Sequence, residues 1–273
     1  MAKRAERRRA PAPPDEERLY GLHACRAVFA RRRDDIRRVY VDEARIDDVR
    51  DLLKWCASAG VAYKVVGPAD LEKVTKSTHH EGIALLARRP RPATLEDLVS
   101  ALERDVAPAR VLLLENVRDP HNVGAIVRTA AHFGARAVLL AGDTARRSPA
   151  LLRTAEGGAE SVALVEVARP LPALRRLKKA GLEAAATSSH VERSLFQGAL
   201  PERLVLLLGA EREGLSRPLL DEADLQIAIP GTGAVESLNV ASACAVVLAE
   251  HWRQSSVRER PLKPRPARAR RRP

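Results

Sequence analysis

Residues 111–140, VLLLENVRDPHNVGAIVRTAAHFGARAVLL, decide the fold. Residues 111–114 form an unbroken apolar run, the pattern of a strand covered on both faces, and 137–140 repeat it. Between them Val123, Ile126, Val127 and Ala130 recur at helical spacing, with Asn122 placed to cap the helix and Gly134 placed to end it. Two strands joined by a crossover helix run parallel, so the spacing predicts an α/β fold. The polar residues Glu115, Asn116, Arg118, Asp119, His121 and Asn122 gather where the first strand hands over to the helix, and Arg128 follows within it. Open α/β sheets bind ligands at that edge. Taken alone, the stretch reads equally well as an ordinary βα loop whose Pro120 and Asn122 shape the turn.

Further along, two more strand ends of the same kind change that balance. Residues 204–208 are another apolar run, followed at once by GAEREGLS (209–216). The strand expected at 225–229 ends in Pro230, Gly231, Thr232 and Gly233, before ESLN (236–239) and a long helix at 240–252. Strands are also expected at 162–167 and 182–187, with a helix at 171–179 stopped by Gly181, while Gly157 and Gly158 allow close backbone approach. At one edge of a parallel sheet the three glycine-bearing loops converge on a pocket suited to a nucleoside cofactor. It is no dinucleotide site, because no G-x-G-x-x-G follows a strand and opens a helix, and GTGAVE (231–236) lacks the last glycine. Walker A, zinc, Ser-His-Asp and G-x-S-x-G patterns are absent from the sequence as well.

Towards the N-terminus, helix and strand alternate on a smaller scale. Strands at 36–41, 61–66 and 83–87 enclose a helix at 47–59, with Val49, Leu52, Leu53 and Cys56 on one face and Gly60 closing it, and a short helix at 69–74. His79, His80 and Glu81 precede the last strand; adjacent histidines point apart and lack a third ligand at a telling distance, so no metal is expected there. An RNA-contacting loop or a plain turn are the readings left, and His23 in YGLHA (20–24) is similarly placed. Prolines then flank a single helical stretch at 95–102, which marks a linker. The expected organisation is a disordered basic arm (1–18), a small α/β domain (19–90), a linker (91–108), a second α/β domain (109–255) and a second basic arm (256–273).

The 273 residues are 45% hydrophobic, enough for two cores, and carry a net charge of +12. That charge implies a polyanion, and nucleic acid before a membrane surface. Much of it sits in residues 3–9 and 258–272, which add salt-sensitive affinity without sequence choice. With 3% aromatics, a base-stacking platform of the RRM or OB type is not expected. Residues 1–18 have no apolar run after their positive charges, so they do not read as a secretory signal. Cys25, Cys56 and Cys244 lie in apolar-periodic stretches without metal spacing, as core residues of a cytoplasmic protein do.

NVRDPHNVGAIVRTAAHFGA, LLLGAEREGLS and IAIPGTGAVESLNVASACAVVLAE, in this order, resemble the motifs of the SpoU/TrmH family of RNA ribose 2′-O-methyltransferases in the SPOUT superfamily. YGLHA and HHEGIAL are similar to the small substrate-binding domain that precedes the catalytic domain in the ribosomal-RNA branch. The resemblance implies a parallel-sheet domain tied in a deep trefoil knot, S-adenosylmethionine as cofactor, RNA as substrate (ribosomal, with transfer RNA as the alternative) and a homodimer. It implies no metal. Carried over by motif, Asn122, Arg128, Glu211, Ser237 and Asn239 are the catalytic positions. Gly209, Ala210, Ile229, Leu238 and Thr187 lie against the cofactor, and His23, His79, His80, Arg118 and His121 against RNA. Glu236 departs from the pattern, since many relatives have a small or neutral residue before SLN.

The chemistry so implied requires a weakly acidic ribose hydroxyl to become a nucleophile. Arginine is a poor base, because its pKa lies above about 12. Arg128 is therefore read chiefly as a fork that binds substrate phosphate and lowers the hydroxyl's pKa, with Asn122 and Glu211 orienting it. A deprotonated Arg128, or His121 directly or through water, are the alternative proton acceptors. Ser237 and Asn239 stand at a helix start, where each serves either as a cap or as part of the site. A methylation-dead RNA-binding protein and a base-methylating SPOUT enzyme are the competing functions; the intact motif residues weigh against the first and the ribose-branch motifs against the second.

Overall fold

A computed structural model of the chain describes residues 15–188, 191 and 193–256. The basic arms lie outside these residues except for 15–18 and 256. The chain opens with β1 (Glu16–Tyr20), α1 (Leu22–Arg32), β2 (Ile36–Val41), α2 (Arg50–Ala59), β3 (Ala62–Val65), α3 (Pro68–Thr75) and β4 (Ile83–Arg88). These strands form one sheet in the order β1-β4-β2-β3, with β4 antiparallel to both neighbours and β3 parallel to β2. β1 starts inside the stretch read as an arm, because Glu17, Leu19 and Tyr20 are buried and the strand pairs along its whole length with β4. α2 buries Leu52 and Cys56 and ends at Gly60, whose left-handed φ of 69° a side chain would resist.

The second half comprises α4 (Leu95–Arg104), β5 (Ala109–Glu115), α5 (Pro120–His132), β6 (Ala137–Ala141), α6 (Pro149–Thr154), β7 (Ala163–Val167), α7 (Pro170–Lys179), β8 (Glu183–Thr187), β9 (Arg203–Gly209), α8 (Arg217–Glu222), β10 (Leu225–Ile227) and α9 (Val240–Ser256). Its six strands are all parallel, in the order β10-β8-β9-β5-β6-β7. The unbroken apolar runs occupy the middle of this sheet, where both faces are covered. Leu112 and Leu114 pack with Val123, Ile126, Val127, Val247 and Leu248 on one side. Val111 and Leu113 pack with Leu98, Leu102, Leu174 and Leu177 on the other. α4 falls in the stretch read as a linker; capped by Thr94, it buries Leu98, Val99 and Leu102 against that second face and so forms part of the layer.

The two halves share one core, in which Leu19, Cys25 and Val28 meet Leu151, Leu152 and Ala155. Gly157 makes this contact possible: with φ at 88°, it lies where an added Cβ would stand 2.5 Å from the Ala27 Cβ of α1. Four charges close the seam. Arg32 and Arg147 each bind both Glu17 and Glu160 at 2.6–3.0 Å, with every side chain at most 14% exposed. Burial pushes the Glu160 carboxyl up, but hydrogen bonds and charge from Arg32 and Arg147 outweigh it and hold the group below the usual carboxylate range.

Candidate active site

The strand ends bring three polar loops together. β5 and β9 end in register at Glu115 and Gly209, and β8 and β10 end in register at Thr187 and Ile227. Asp119, rather than Asn122, caps α5: its carboxylate accepts the backbone N–H of His121 at 2.9 Å. Asn122 therefore stands in the first turn with a free amide, which donates to Glu211 Oε1 at 3.1 Å. Asn239 caps α9, its Oδ1 accepting the N–H groups of Ala241 (2.9 Å) and Ser242 (3.4 Å). Its Nδ2 donates to Glu211 Oε1 at 2.6 Å and to Asn122 Oδ1 at 3.0 Å. Asn239 is thus cap and site residue at once, and Ser237, two residues earlier, is not the cap. Glu211 receives both amides on Oε1, leaving Oε2 without a hydrogen-bond partner among the described residues.

Beside this cluster lies a cavity of about 580 Å³. Gly209, Ala210, Thr187, Ile229 and Leu238, the residues expected against the cofactor, all line it, and so do Glu211, Glu236 and Ser237. Gly209 is required by its own loop: a Cβ there would lie 2.2 Å from the carbonyl carbon of Gly214. That close return, with Gly214 N–H donating to Ala210 O at 2.9 Å, projects Glu211 and Arg212 from the turn. The far end is anchored by the buried Glu115, whose Oε2 accepts the Ser216 N–H at 2.7 Å. Leu208, Leu215, Ile227 and Val240 complete the wall. Sequence reading passed over these four because an apolar wall and an apolar core carry the same signal.

The donor set fits S-adenosylmethionine. The volume lies within the range of nucleoside-sized sites, roughly 300–1,000 Å³. Apolar walls suit an adenine ring, the hydroxyls of Ser188 and Ser237 suit ribose and amino-acid groups, and the carboxylates of Glu211 and Glu236 suit a sulfonium cation.

Arg128 is not part of the cluster. It lies six residues beyond Asn122 on α5, roughly 9 Å further along the axis and on another face. Its Nη1 stands 2.7 Å from Glu156 Oε1, and it lines a separate cavity of about 660 Å³ with Arg31, His132, Phe133 and Gly158. His121 Nδ1 lies 3.1 Å from Thr154 Oγ1, whose own proton goes to the Ala150 carbonyl. The histidine therefore donates at Nδ1, which leaves Nε2 as the acceptor of its neutral form. Arg118 is exposed and paired with Glu213 at 3.0 Å. His23 and His79 are exposed. His80, expected at an RNA-contacting loop, is instead buried, its Nδ1 accepting the Gly82 N–H at 3.0 Å to fix the turn before β4. Among the described residues no group of three or more His, Cys, Asp or Glu is arranged to hold a metal ion.

Fold and site together define a two-part α/β enzyme whose parallel sheet carries a nucleoside-sized cavity at its strand ends, with a small domain packed against it. The chain belongs to the SpoU rRNA Methylase family, which residues 109–249 match, and residues 18–93 match RNA 2'-O ribose methyltransferase substrate binding. Among curated relatives, the uncharacterized tRNA/rRNA methyltransferase YfiF of Escherichia coli O157:H7 is 37% identical over 88% of this chain and 69% of its own. The 23S rRNA (guanosine-2'-O-)-methyltransferase RlmB of Nitrosomonas europaea is 34% identical over 88% of this chain and 92% of its own. The solved SpoU methyltransferase AviRb of Streptomyces viridochromogenes, in complex with AdoMet, shares the fold with a TM-score of 0.73 at 22% identity, covering 89% of this chain and 92% of that one.

Proposed function

We propose that this protein transfers a methyl group from S-adenosylmethionine to a ribose 2′-hydroxyl of RNA, with ribosomal RNA as the substrate. The reading rests on the Asn122–Glu211–Asn239 cluster: three distant motifs meet at the rim of a nucleoside-sized cavity, and the carboxylate oxygen they leave free is available to a substrate hydroxyl. Bound in that cavity, S-adenosylmethionine supplies an electrophilic methyl group. The chain's own residues do the rest. Gly209, Ala210, Ile229 and Leu238 shape the wall, Thr187 and Ser237 offer hydroxyls to the ligand, and Asn122 and Asn239 hold Glu211 in place to orient the substrate. His121 presents Nε2 as a proton acceptor, and Arg128 supplies a fork for phosphate.

Arg128 and Glu211 face different cavities in one chain, so their joint action requires a second copy. This supports the homodimer. Phe133 lines the Arg128 cavity and its ring lies 6.3 Å from that of Trp252, tilted by 51°; Trp252 is 41% exposed, so apolar surface adjoins that arginine. The knotted topology is supported by the path after β10, which lies at the sheet edge: the chain returns past residues 193–195, paired with Ala228, to reach α9 against α5. A reducing, cytoplasmic setting is supported by three free, buried cysteines. Burial pushes Cys56 up to about 11 and Cys244 up to about 12, which keeps both as unreactive thiols. No described helix is long and apolar enough to cross a membrane.

The test is direct: total RNA from a strain lacking the gene is incubated with the protein and methyl-labelled S-adenosylmethionine, and newly alkali-resistant linkages are mapped. Label at a single ribosomal ribose is expected; label on a base, or none in RNA, overturns the reading.

A further inference from the structure

A larger cavity, about 980 Å³, lies apart from the cofactor site and shares no lining residue with it. One wall is the chain between the two sheets, residues 89–96; the other is the edge strand β7 and the start of α7. Ala93 bridges to Val165, but Pro90 and Pro92 have no N–H to extend the pairing, so the segment cannot close onto the strand and a groove stays open. Five arginines and three glutamates line it. All three glutamates are engaged: Glu160 with Arg147, Glu96 with Arg176, and Glu166 with Arg146. Arg89, Arg91 and Arg169 have no carboxylate partner among the described residues, and the Arg89 Nε is buried without any hydrogen-bond acceptor. Arg89 itself lines the groove, so an anion there would offer acceptors to its guanidinium group. The Asp15 carbonyl accepts the Arg89 N–H at 2.7 Å, which fixes the backbone at the start of the groove wall.

We propose that this groove binds the phosphodiester backbone of the RNA substrate at a distance from the target nucleotide, with Arg89, Arg91 and Arg169 as the phosphate contacts. The inference rests on the RNA-methylating reading and deepens it, giving the seam between the domains a binding role that neither domain has alone. A single small anion would leave most of a 980 Å³ groove empty, whereas a continuous polyanion meets all three arginines. Contacts of this kind hold register and orientation and leave base choice to other groups.

The test uses the full chain with a charge-reversed pair, Arg91→Glu/Arg169→Glu, both exposed and without a carboxylate partner among the described residues. A matched control, Arg104→Glu/Lys179→Glu, makes the same charge change at the far ends of α4 and α7, roughly 15 Å away. Dissociation constants for a ribosomal RNA fragment are measured across a potassium chloride series, with S-adenosylmethionine affinity and melting temperature read on the same samples. The groove variant is expected to bind RNA at least 10-fold more weakly, with a log–log salt slope shallower by about 1.4 for two lost single-strand phosphate contacts, and with cofactor affinity unchanged. Should the reversed pair fold poorly, Arg91→Gln/Arg169→Gln is expected to move the slope in the same direction. Groove and control variants with the same RNA affinity and slope overturn the proposal and leave an acidic protein segment as the groove's occupant. The readout is binding, so a wild-type protein that binds RNA but methylates none of it sinks the proposed activity while this inference is still decided.

Discussion

Asn239→Asp separates the two roles of one side chain. Asparagine and aspartate cap helices about equally well, so the variant keeps the Ala241 and Ser242 amides satisfied and α9 loses at most a few tenths of a kcal/mol. What changes is the contact to Glu211, where a donor 2.6 Å from Oε1 becomes a second carboxylate. Two charges about 4 Å apart repel by about 4 kcal/mol at a surface dielectric, and because both residues are exposed, solvent cuts this to roughly 1 kcal/mol. That still exceeds what holds an exposed glutamate in one rotamer, so Glu211 swings away and Asn122 loses its acceptor. A misplacement on the order of 1 Å at a site that works by alignment costs about 10²-fold. Single-turnover methyl transfer at pH 8 is therefore expected to fall about 100-fold in Asn239→Asp at an unchanged melting temperature. In Asn239→Ala the rate falls similarly, but about 1 kcal/mol of stability goes with it. Wild-type turnover in Asn239→Asp at pH 8 would reduce Asn239 to a cap and remove the argument for the cluster.

Arg128→Ala should lose about 10²-fold or more in turnover with cofactor affinity kept, and mixing it with Glu211→Gln should recover activity, because a mixed dimer holds one complete site; two inert variants that stay inert together would place both residues in one chain's site. Arg147→Met leaves Glu17 and Glu160 sharing Arg32 alone, so denaturant unfolding should show about 3–5 kcal/mol of lost stability, and a loss under 1 kcal/mol would refute the description of the seam. His251 is buried, accepts Arg110 Nε at Nδ1 (2.8 Å) and donates from Nε2 to the Pro201 carbonyl (2.8 Å), and burial, helped by the Arg110 charge against the opposing Pro201 hydrogen bond and Glu202, lowers its pKa. The unfolded chain then binds the extra proton first, so the stability His251 contributes is present above the ordinary histidine value of about 6.5 and is lost as pH falls below it. Melting temperatures from pH 7.5 to 5 should drop more in the wild type than in His251→Gln, and parallel curves would contradict the assignment.

What the sequence discloses and what it hides divide along the range of the interactions involved. Continuous apolar runs at 111–114 and 204–208 announce strands covered on both faces, because burial on two sides removes the alternation that one wet face imposes, and β5 and β9 are indeed central. The cap of α5 was not legible: Asp119 and Asn122 are both good caps three residues apart, and what releases Asn122 is Glu211 and Asn239, 89 and 117 positions away. Prolines around α4 look the same whether a helix bridges two domains or, as here, covers a sheet. His80 reads as a polar loop residue until the Gly82 N–H is found on its ring. Arg128 shows the limit most sharply. Helical phase correctly took it off the apolar face of α5, and motif placed it with Asn122, yet six residues of helix set the two apart. A motif records which residues serve one reaction, not which chain supplies each of them, and in the proposed homodimer Arg128 of one copy would complete the site of the other.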